Sequence, residues 1–204
     1  MSENDKRFDP QKWEGLVSAE RETRWNPPQF LGRFHVQAGD AVLDLGCGPG
    51  FWTLPLADLV GAEGKVFALD VSQEMLDALE AQQPPQQVIP LLSELPAIDL
   101  EPSTTDFIWA AFVYHEVDGD GLAEEMLRVT RPGGQIAILE WRPDGASGSK
   151  PPSDHRVWPD DVKRALQLAG FSQVTKAWRD EDAYLITARN GNGDQTRFKR
   201  SDND

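Results

Sequence analysis

A cluster of glycines follows the first apolar run of this 204-residue chain. Gly46, Gly48 and Gly50 stand at alternate positions in the segment VLDLGCGPG, which spans residues 42–50. Glycine has no Cβ and tolerates unusual backbone angles, so a large ligand can approach the main chain and the N–H groups at the start of the next helix. Asp70 ends the following apolar run, where its carboxylate can accept hydrogen bonds from the two hydroxyls of a ribose. The two features together predict a nucleoside ligand.

Residues around the glycines indicate the kind of nucleoside. A dinucleotide fingerprint requires glycine at position 51, where this chain has Phe51, and a phosphate-binding loop requires a Lys-Ser/Thr pair that the segment lacks. Asp44 precedes the glycines, and its carboxylate disfavours a pyrophosphate and favours a ligand with an ammonium or sulfonium group. S-adenosylmethionine meets both conditions.

A histidine and a glutamate follow a later apolar run. Tyr114, His115 and Glu116 come directly after the run that ends at Ala110 and Ala111. We expect His115 to act as a general base on an acceptor or to hold it in place, with Glu116 fixing the imidazole tautomer. Local hydrogen bonds at the start of a helix are the alternative. A zinc-protease motif is excluded because it requires a second histidine four residues later.

Short apolar runs alternate with amphipathic segments from residue 40 to 170, which is typical of a parallel sheet with helices on both faces. The predicted strands are 41–45, 65–69, 87–91, 106–111 and 135–140, followed by a hairpin of 174–178 and 183–188. The predicted helices are 51–60, ended by Gly61; a helix capped by Ser72 that runs to residue 81; 119–130; and 159–168, ended by Gly170. RPGG at 131–134 predicts a tight reversal, 142–152 a long flexible connection and 190–204 a disordered tail.

The net charge of −14 is concentrated in one part of the chain. Residues 1–40 have 6 basic and 7 acidic side chains, 41–140 have 3 and 17, and 141–204 have 11 and 10. Such a balance argues against a nucleic-acid partner and suits a cationic ligand. With Cys47 as the single cysteine, neither an internal disulfide nor a metal site is expected. The sequence shows neither a signal peptide nor a long apolar run, so we expect a cytoplasmic protein that does not enter a membrane.

The motifs together resemble the class I S-adenosylmethionine-dependent methyltransferases, in particular the small-molecule methyltransferases of the ubiquinone and menaquinone type. The resemblance covers about residues 25–189 and includes VLDLGCGPG, the acid that ends the second strand, and RPGG. It implies an α/β, Rossmann-like, doubly wound sheet of seven strands in the order 3-2-1-4-5-7-6, with strand 7 antiparallel. The expected organisation is an N-terminal arm or lid over 1–38, a methyltransferase domain over 39–189 and a tail over 190–204.

The resemblance also assigns roles to individual positions. The expected cofactor-binding residues are Asp44 and Gly46 at the methionine moiety, Cys47 packed under the cofactor, Gly48 and Gly50 at the closest approach, Asp70 at the ribose, Val71 at the adenine, and Ala110 and Ala111 lining the site. Either Ser93 or Glu94 is expected at the adenine amino group. Expected acceptor-side residues are Trp25, Tyr114, His115, His155 and Arg156, although an exposed salt bridge is equally consistent with His155 and Arg156.

The expected reaction is methyl transfer from S-adenosylmethionine to a small-molecule acceptor by direct displacement, at oxygen, nitrogen or carbon. An aminopropyl-type transferase and a non-catalytic protein that binds S-adenosylmethionine are the alternatives. The protein is expected to be a monomer or a homodimer.

Overall fold

A computed structural model describes residues 9–117, 121–145 and 151–191 of the chain. A 3-10 helix (Pro10–Val17) precedes α1 (Ala19–Trp25) and α2 (Pro27–Leu31). The elements that follow are β1 (Ala41–Leu45), α3 (Thr53–Val60), β2 (Lys65–Asp70), α4 (Gln73–Ala81), β3 (Val88–Leu92), β4 (Thr105–Ala111), α5 (Leu122–Val129), β5 (Thr130–Trp141), α6 (Pro159–Ala169), β6 (Phe171–Arg179) and β7 (Ala183–Asn190). Single 3-10 turns lie at Tyr114–Glu116 and Ser153–His155.

The seven strands form one sheet in the order β3-β2-β1-β4-β5-β7-β6. Parallel pairing joins β1 to β2 and β4, β2 to β3, and β4 to β5, whereas β7 is antiparallel to both of its neighbours. The fold class expected from the sequence, including strand order and the antiparallel seventh strand, is confirmed. The order reverses between β1 and β4, and ligands of doubly wound sheets bind beside the carboxyl ends of strands at such a point.

Apolar side chains cover both faces of the sheet. Val42 belongs to one buried cluster with α3 and α4, while Leu43 belongs to another with α5 and α6. Alternation along a strand sends successive side chains to opposite faces, so every residue of β1 is buried because both of its faces are covered, and Asp44 is its one charged residue. None of the helices in the three described ranges has the length and apolar character needed to cross a bilayer.

The helix ends follow the capping residues that the sequence predicts. Ser72 Oγ accepts a hydrogen bond from Met75 N at the start of α4. Gly61 ends α3, and Gly170 ends α6 with a φ of 109°. These caps set where each helix returns the chain to the sheet.

RPGG does not form the predicted tight reversal. Helix α5 ends at Val129 and β5 begins immediately at Thr130, so residues 131–134 form a bulge within the strand. Thr105 lies opposite Thr130 and Phe107 already lies opposite Gln135. The direct entry from helix to strand is held by Thr130 Oγ1, which donates to Met126 O at 2.6 Å.

Other predicted boundaries shift by a few residues. The hairpin strands are longer than expected, and Asn190, with which the predicted tail begins, is the last residue of β7 and donates from its side chain to Thr130 O. The predicted helix 119–130 starts at Leu122, and its residues 119 and 120 lie outside the described ranges. Residues 146–150 of the predicted connection and 192–204 of the predicted tail also lie outside them.

The segment that precedes β1 packs across the glycine loop. A Cβ added at Gly48 would lie 3.6 Å from Leu16 Cδ1 of the 3-10 helix. Farther along, Arg24 forms an ion pair with Asp182 at 2.8 Å, in the turn between β6 and β7. Residues 10–31, which we call the N-terminal segment, thus contact the glycine loop through Leu16 and the turn between β6 and β7 through Arg24. Residues 1–8 of the expected arm are outside the described ranges.

The bulge in β5 makes a stability prediction. A Cβ at Gly134 would lie 2.7 Å from Thr130 Cγ2 and 2.9 Å from Arg131 O. Gly134→Ala should therefore lower the free energy of unfolding by about 1–3 kcal/mol, measured by thermal or urea unfolding. Gly15→Ala is the control because no atom lies within 4 Å of its added Cβ. Equal stability of the two variants would contradict the close packing at Gly134.

Candidate active site

The glycine loop connects β1 to α3 at the carboxyl end of the sheet. Gly46, Gly48 and Gly50 have φ values of 70°, 53° and 97°, a region that favours glycine. A Cβ added at Gly46 would lie 2.6 Å from Val113 Cγ2, and a Cβ added at Gly50 would lie 2.5 Å from Leu79 Cδ1. The absence of a side chain at these two glycines therefore allows close packing against the rest of the protein. Only Gly48 has room on its Cβ side, toward the N-terminal segment.

Asp70 fastens this loop to the end of β2. Its Oδ2 accepts from Gly48 N at 2.8 Å, and its Oδ1 accepts from Ser72 N at 2.9 Å. Burial raises the pKa of Asp70, and the hydrogen bonds from Ser72 and Gly48 oppose that rise. Asp70 therefore lies where the sequence predicts, and it also shapes the loop.

Asp44 lies beneath the loop with 1% of its surface exposed. Thr53 Oγ1 donates a 2.6 Å hydrogen bond to its Oδ2. Burial raises the pKa of Asp44 to about 7, with a further rise from the nearby charge of Asp70, although the Thr53 hydrogen bond acts in the opposite direction. Burial likewise raises the pKa of the Cys47 thiol, which leaves Cys47 as a neutral packing residue.

His115 is held by a glutamate that the sequence did not single out. His115 Nδ1 lies 2.9 Å from Glu140 Oε2, and both side chains are buried. Because a carboxylate only accepts hydrogen bonds, Nδ1 carries the hydrogen and Nε2 is the nitrogen able to accept a proton. Glu140 also accepts from Trp141 N at 3.0 Å. The tautomer-fixing role predicted for Glu116 is therefore filled by Glu140, and Glu116 Oε1 lies 3.9 Å from Nε2 instead.

The charge around His115 favours its protonated form. Burial lowers the pKa of His115, but the Glu140 carboxylate, its hydrogen bond and the charge of Glu116 together outweigh burial and raise the pKa above its ordinary value. Arg156 acts against this rise. His115 and Glu140 thus form a buried pair in which the neighbouring carboxylates stabilise a proton on the imidazole ring.

Aromatic rings lie next to this pair. Phe112 follows β4 with a φ of 60°, unusual for a residue that is not glycine and a sign of a locally constrained backbone. Its ring stacks on Trp141 at 4.3 Å between centroids. Tyr114 is half-buried in the same turn. Phe112 and Trp141 therefore add to the apolar cluster on one face of the sheet, whereas Tyr114 packs against the cluster on the other face.

Trp25, His155 and Arg156 differ from the simple acceptor-side expectation. Trp25 is 2% exposed and packs against both Phe112 and Trp141, so its indole is part of the core. Arg156 is buried, and its Nε donates to Pro151 O while its Nη1 donates to Arg142 O. His155 is half-buried in the 3-10 turn before it.

The remaining cofactor-side positions lie at the same edge of the sheet. Ala110 and Ala111 are buried at the end of β4, and Val71 directly follows Asp70. Ser93 N donates to Asp70 O, while its hydroxyl donates to Ala97 O at 2.9 Å. Glu94 is exposed. The choice between Ser93 and Glu94 at an adenine stays a prediction.

Known proteins share this combination of fold and loop. A family model described as a methyltransferase domain matches residues 42–134. A demethylmenaquinone methyltransferase of Lysinibacillus sphaericus is 34% identical over 181 residues, which are 84% of this chain and 74% of that protein. A crystal structure of a SAM-dependent methyltransferase from Aquifex aeolicus has a TM-score of 0.82 and 32% identity, and the match covers 90% of this chain and 99% of that chain. The chain belongs to the S-adenosylmethionine-dependent methyltransferases.

Coverage of the relatives is unequal. A demethylmenaquinone methyltransferase of Oceanobacillus iheyensis is 34% identical over 129 residues, which are 61% of this chain and 54% of that protein. This methyltransferase chain therefore spans about half the length of several curated relatives that it matches.

The residues of this methyltransferase suit S-adenosylmethionine as cofactor. Asp44 and Asp70 are buried carboxylates, and within the described ranges no Lys, Arg or His side chain forms an ion pair with either. The cofactor has a sulfonium and an ammonium, the kind of charge that two such carboxylates attract. A Cβ added at Gly48 would meet only Leu16 of the N-terminal segment, at 3.6 Å, so no other residue crowds the main chain on that side.

The structure adds Glu140 to the methyltransferase site that the sequence indicated. A signal existed, because the fifth predicted strand ends at this carboxylate and parallel strands end at one edge of the sheet. The pairing of Ala111 with Leu139 places Glu140 beside the turn that contains His115. Sequence neighbourhood had favoured Glu116 instead.

The buried Asp44 makes a prediction about the ligand-free methyltransferase. Asp44 has a pKa of about 7 in the folded protein and a much lower pKa in the unfolded chain. As pH rises from the unfolded pKa to the folded pKa, ionisation of Asp44 lowers the free energy of unfolding, and the full decrease is reached above pH 7. Asp44→Asn should raise that free energy at pH 8 by on the order of 2 kcal/mol and have little effect at pH 4. Thermal unfolding against pH measures this, with the exposed Asp58→Asn as control. A pH-independent difference would contradict the burial of charge at Asp44.

Proposed function

We propose that the protein transfers a methyl group from S-adenosylmethionine to carbon or oxygen of a small aromatic acceptor of the quinol type, with His115 as the base. The observation that carries the proposal is the buried His115–Glu140 pair, 2.9 Å apart, at the ends of the two strands beside the glycine loop. Carbon and oxygen acceptors of this type lose a proton when they gain a methyl group. A base at this place would therefore remove the proton that the acceptor loses.

The relatives support the class of acceptor. The matched proteins of Lysinibacillus sphaericus and Oceanobacillus iheyensis are demethylmenaquinone methyltransferases. Phe112, Tyr114 and Trp141 are half-buried aromatic residues at the strand ends, and aromatic side chains of this kind suit a ring-shaped acceptor. Since the chain matches only part of several relatives, the acceptor is inferred from the site together with these names.

The cofactor supplies an electrophilic methyl group on a sulfonium. In the proposed site, Asp70 would accept hydrogen bonds from the ribose, and Asp44 would provide negative charge near the cationic groups. The main chain at Gly48 would lie close to the ligand. Because direct displacement needs no acid at the leaving group, these residues contribute mainly by alignment, an effect that can supply roughly 7–11 kcal/mol.

His115 performs the one proton transfer that the proposal requires. Its Nε2 accepts the proton of the acceptor, and Glu140 keeps the ring in the tautomer that makes this possible while stabilising the imidazolium that results. Glu116, half-buried at 3.9 Å from Nε2, adds to that stabilisation. Leu16 and Trp25 of the N-terminal segment exclude water above the loop and above Phe112.

The direct test is a transfer assay. The protein is incubated with S-adenosylmethionine labelled in its methyl group and with demethylmenaquinone, in the oxidised form and after reduction by dithionite. Label is expected in the reduced acceptor, because a quinol has the acidic proton that His115 removes. Cofactor binding by calorimetry without transfer to any small molecule of a cell extract would contradict the proposal and favour a non-catalytic binding protein. Transfer of an aminopropyl group would contradict it as well.

The base role predicts a particular pH dependence. The protonated form of His115 is inactive as a base, so kcat should rise with pH through a pKa above 6.5. Glu140→Gln removes the charge that raises this pKa and should shift the rising limb to lower pH while lowering the maximal rate. His115→Ala should lower kcat by about 10²–10⁴-fold.

Two controls separate this role from a structural one. The affinity for S-adenosylhomocysteine should stay unchanged in both variants, because neither residue contacts the glycine loop. A pH profile that does not move in Glu140→Gln would contradict the pairing as a source of basicity, whatever the change in rate.

A further inference from the structure

Arg21 lies between two aromatic rings at the mouth of the candidate site. It is in the first turn of α1, and the carbon of its guanidinium lies 5.0 Å from the centre of the Phe51 ring and 5.4 Å from that of Phe112. Phe51 directly follows Gly50 of the glycine loop, and Phe112 directly follows β4. The side chain therefore bridges the two elements between which the sheet order reverses.

The guanidinium has no anionic partner in the described part of the chain. Its Nε is buried without a hydrogen bond, and no Asp or Glu forms an ion pair with the group. Burial lowers the pKa of Arg21 to about 10, so the site holds the cation at a cost. Arg24 of the same helix differs, because it pairs with Asp182 at 2.8 Å and with Asp180 at 3.6 Å.

The charges of the site form a pattern with two signs. Asp44 and Asp70 are buried carboxylates without a cation, and Arg21 is a largely buried cation without an anion. All three charged side chains contact the glycine loop or the residues just after it. Arg21 lies over the ring of Phe51, Asp44 accepts a hydrogen bond from Thr53, and Asp70 accepts one from Gly48. A ligand that satisfies them all carries positive groups and a carboxylate in one molecule. The amino-acid moiety of S-adenosylmethionine has this composition.

We propose that Arg21 binds the carboxylate of the amino-acid moiety of S-adenosylmethionine. The inference rests on the proposed function, because it takes that cofactor as the ligand. A guanidinium forms paired hydrogen bonds with a carboxylate, and the apolar rings on either side of Arg21 keep water from competing. Since Arg21 is on the N-terminal segment, a bound cofactor then holds that segment, with Trp25, over the site.

The test measures the coupling between one ligand group and one side chain. Calorimetry compares S-adenosylhomocysteine with its decarboxylated analogue, which keeps the amine, on the wild-type protein and on Arg21→Met. Removal of the carboxylate should weaken binding to the wild type about 10- to 100-fold, the range expected for hydrogen bonds between charged groups. In Arg21→Met the two ligands should bind within about twofold of each other. Arg21→Lys keeps the charge without the fork and should give an intermediate ratio.

Controls make the outcomes distinct. Arg24→Met, on the same helix, should keep the wild-type ratio between the two ligands, and 5′-methylthioadenosine, which lacks the whole amino-acid moiety, should bind equally to wild type and Arg21→Met. If the ratio of the dissociation constants of the two ligands is the same in the wild type and in Arg21→Met, the inference is overturned. That result is also expected if Arg21 binds an oxyanion of the acceptor and not the cofactor carboxylate. Failure of the wild type to bind S-adenosylhomocysteine overturns the proposed function together with the inference. A folded state of each variant is checked by its unfolding temperature.

Discussion

The burial of two carboxylates at the ends of neighbouring strands is the constraint on which the site depends. Parallel pairing of β1 and β2 brings Asp44 and Asp70 to one edge of the sheet, and the loop between them closes over both. Burial of a charge without a partner opposes folding. The two covered faces of the sheet offset that cost, since the central strands β1 and β4 are packed against apolar side chains on both faces. The fold thus supports a loop that would be unfavourable alone.

The location of these carboxylates matters more than the total charge of the region. Residues 41–140 have 17 acidic side chains, yet only Asp44, Asp70 and Glu140 are buried among those in the described ranges. Exposed acids are screened within about 8–10 Å at physiological salt, whereas buried ones are screened much less. The negative charge that is least screened near the glycine loop is therefore that of Asp44 and Asp70, and the exposed acids contribute mainly a surface charge.

Local patterns in the sequence were sufficient for the sheet, the loop and Asp70. Alternating apolar runs predict the strands, and the caps at Ser72 and Gly170 act through neighbouring residues only. The path of RPGG could not be predicted in this way, because a proline and two glycines are typical of a turn, and only the pairing of β5 with β4 keeps them in a strand. Sequence patterns fail here because tertiary pairing outweighs local preference.

Side chains that meet across the fold are the part that sequence reasoning misses. His115 lies next to Glu116 in the chain, but a single 3-10 turn directs its Nδ1 to Glu140, 25 residues later. The same limit applies to Trp25, whose indole packs on Phe112 and Trp141 only because the N-terminal segment docks on the sheet. Neither contact has a local signal.

These distant contacts share one origin, which is the register of β4 with β5. Ala111 lies opposite Leu139, so Phe112, which follows β4, and Glu140, the next residue of β5, come to the same edge of the sheet. Phe112 N donates to Leu139 O, and the positive φ of Phe112 then turns the chain so that His115 N and Nδ1 both face Glu140. A shift of this pairing by one residue would send the Glu140 side chain to the opposite face of the sheet. The bulge at 131–134 absorbs extra residues before the strand reaches this point, and it thereby keeps the register on which the contact of His115 with Glu140 depends.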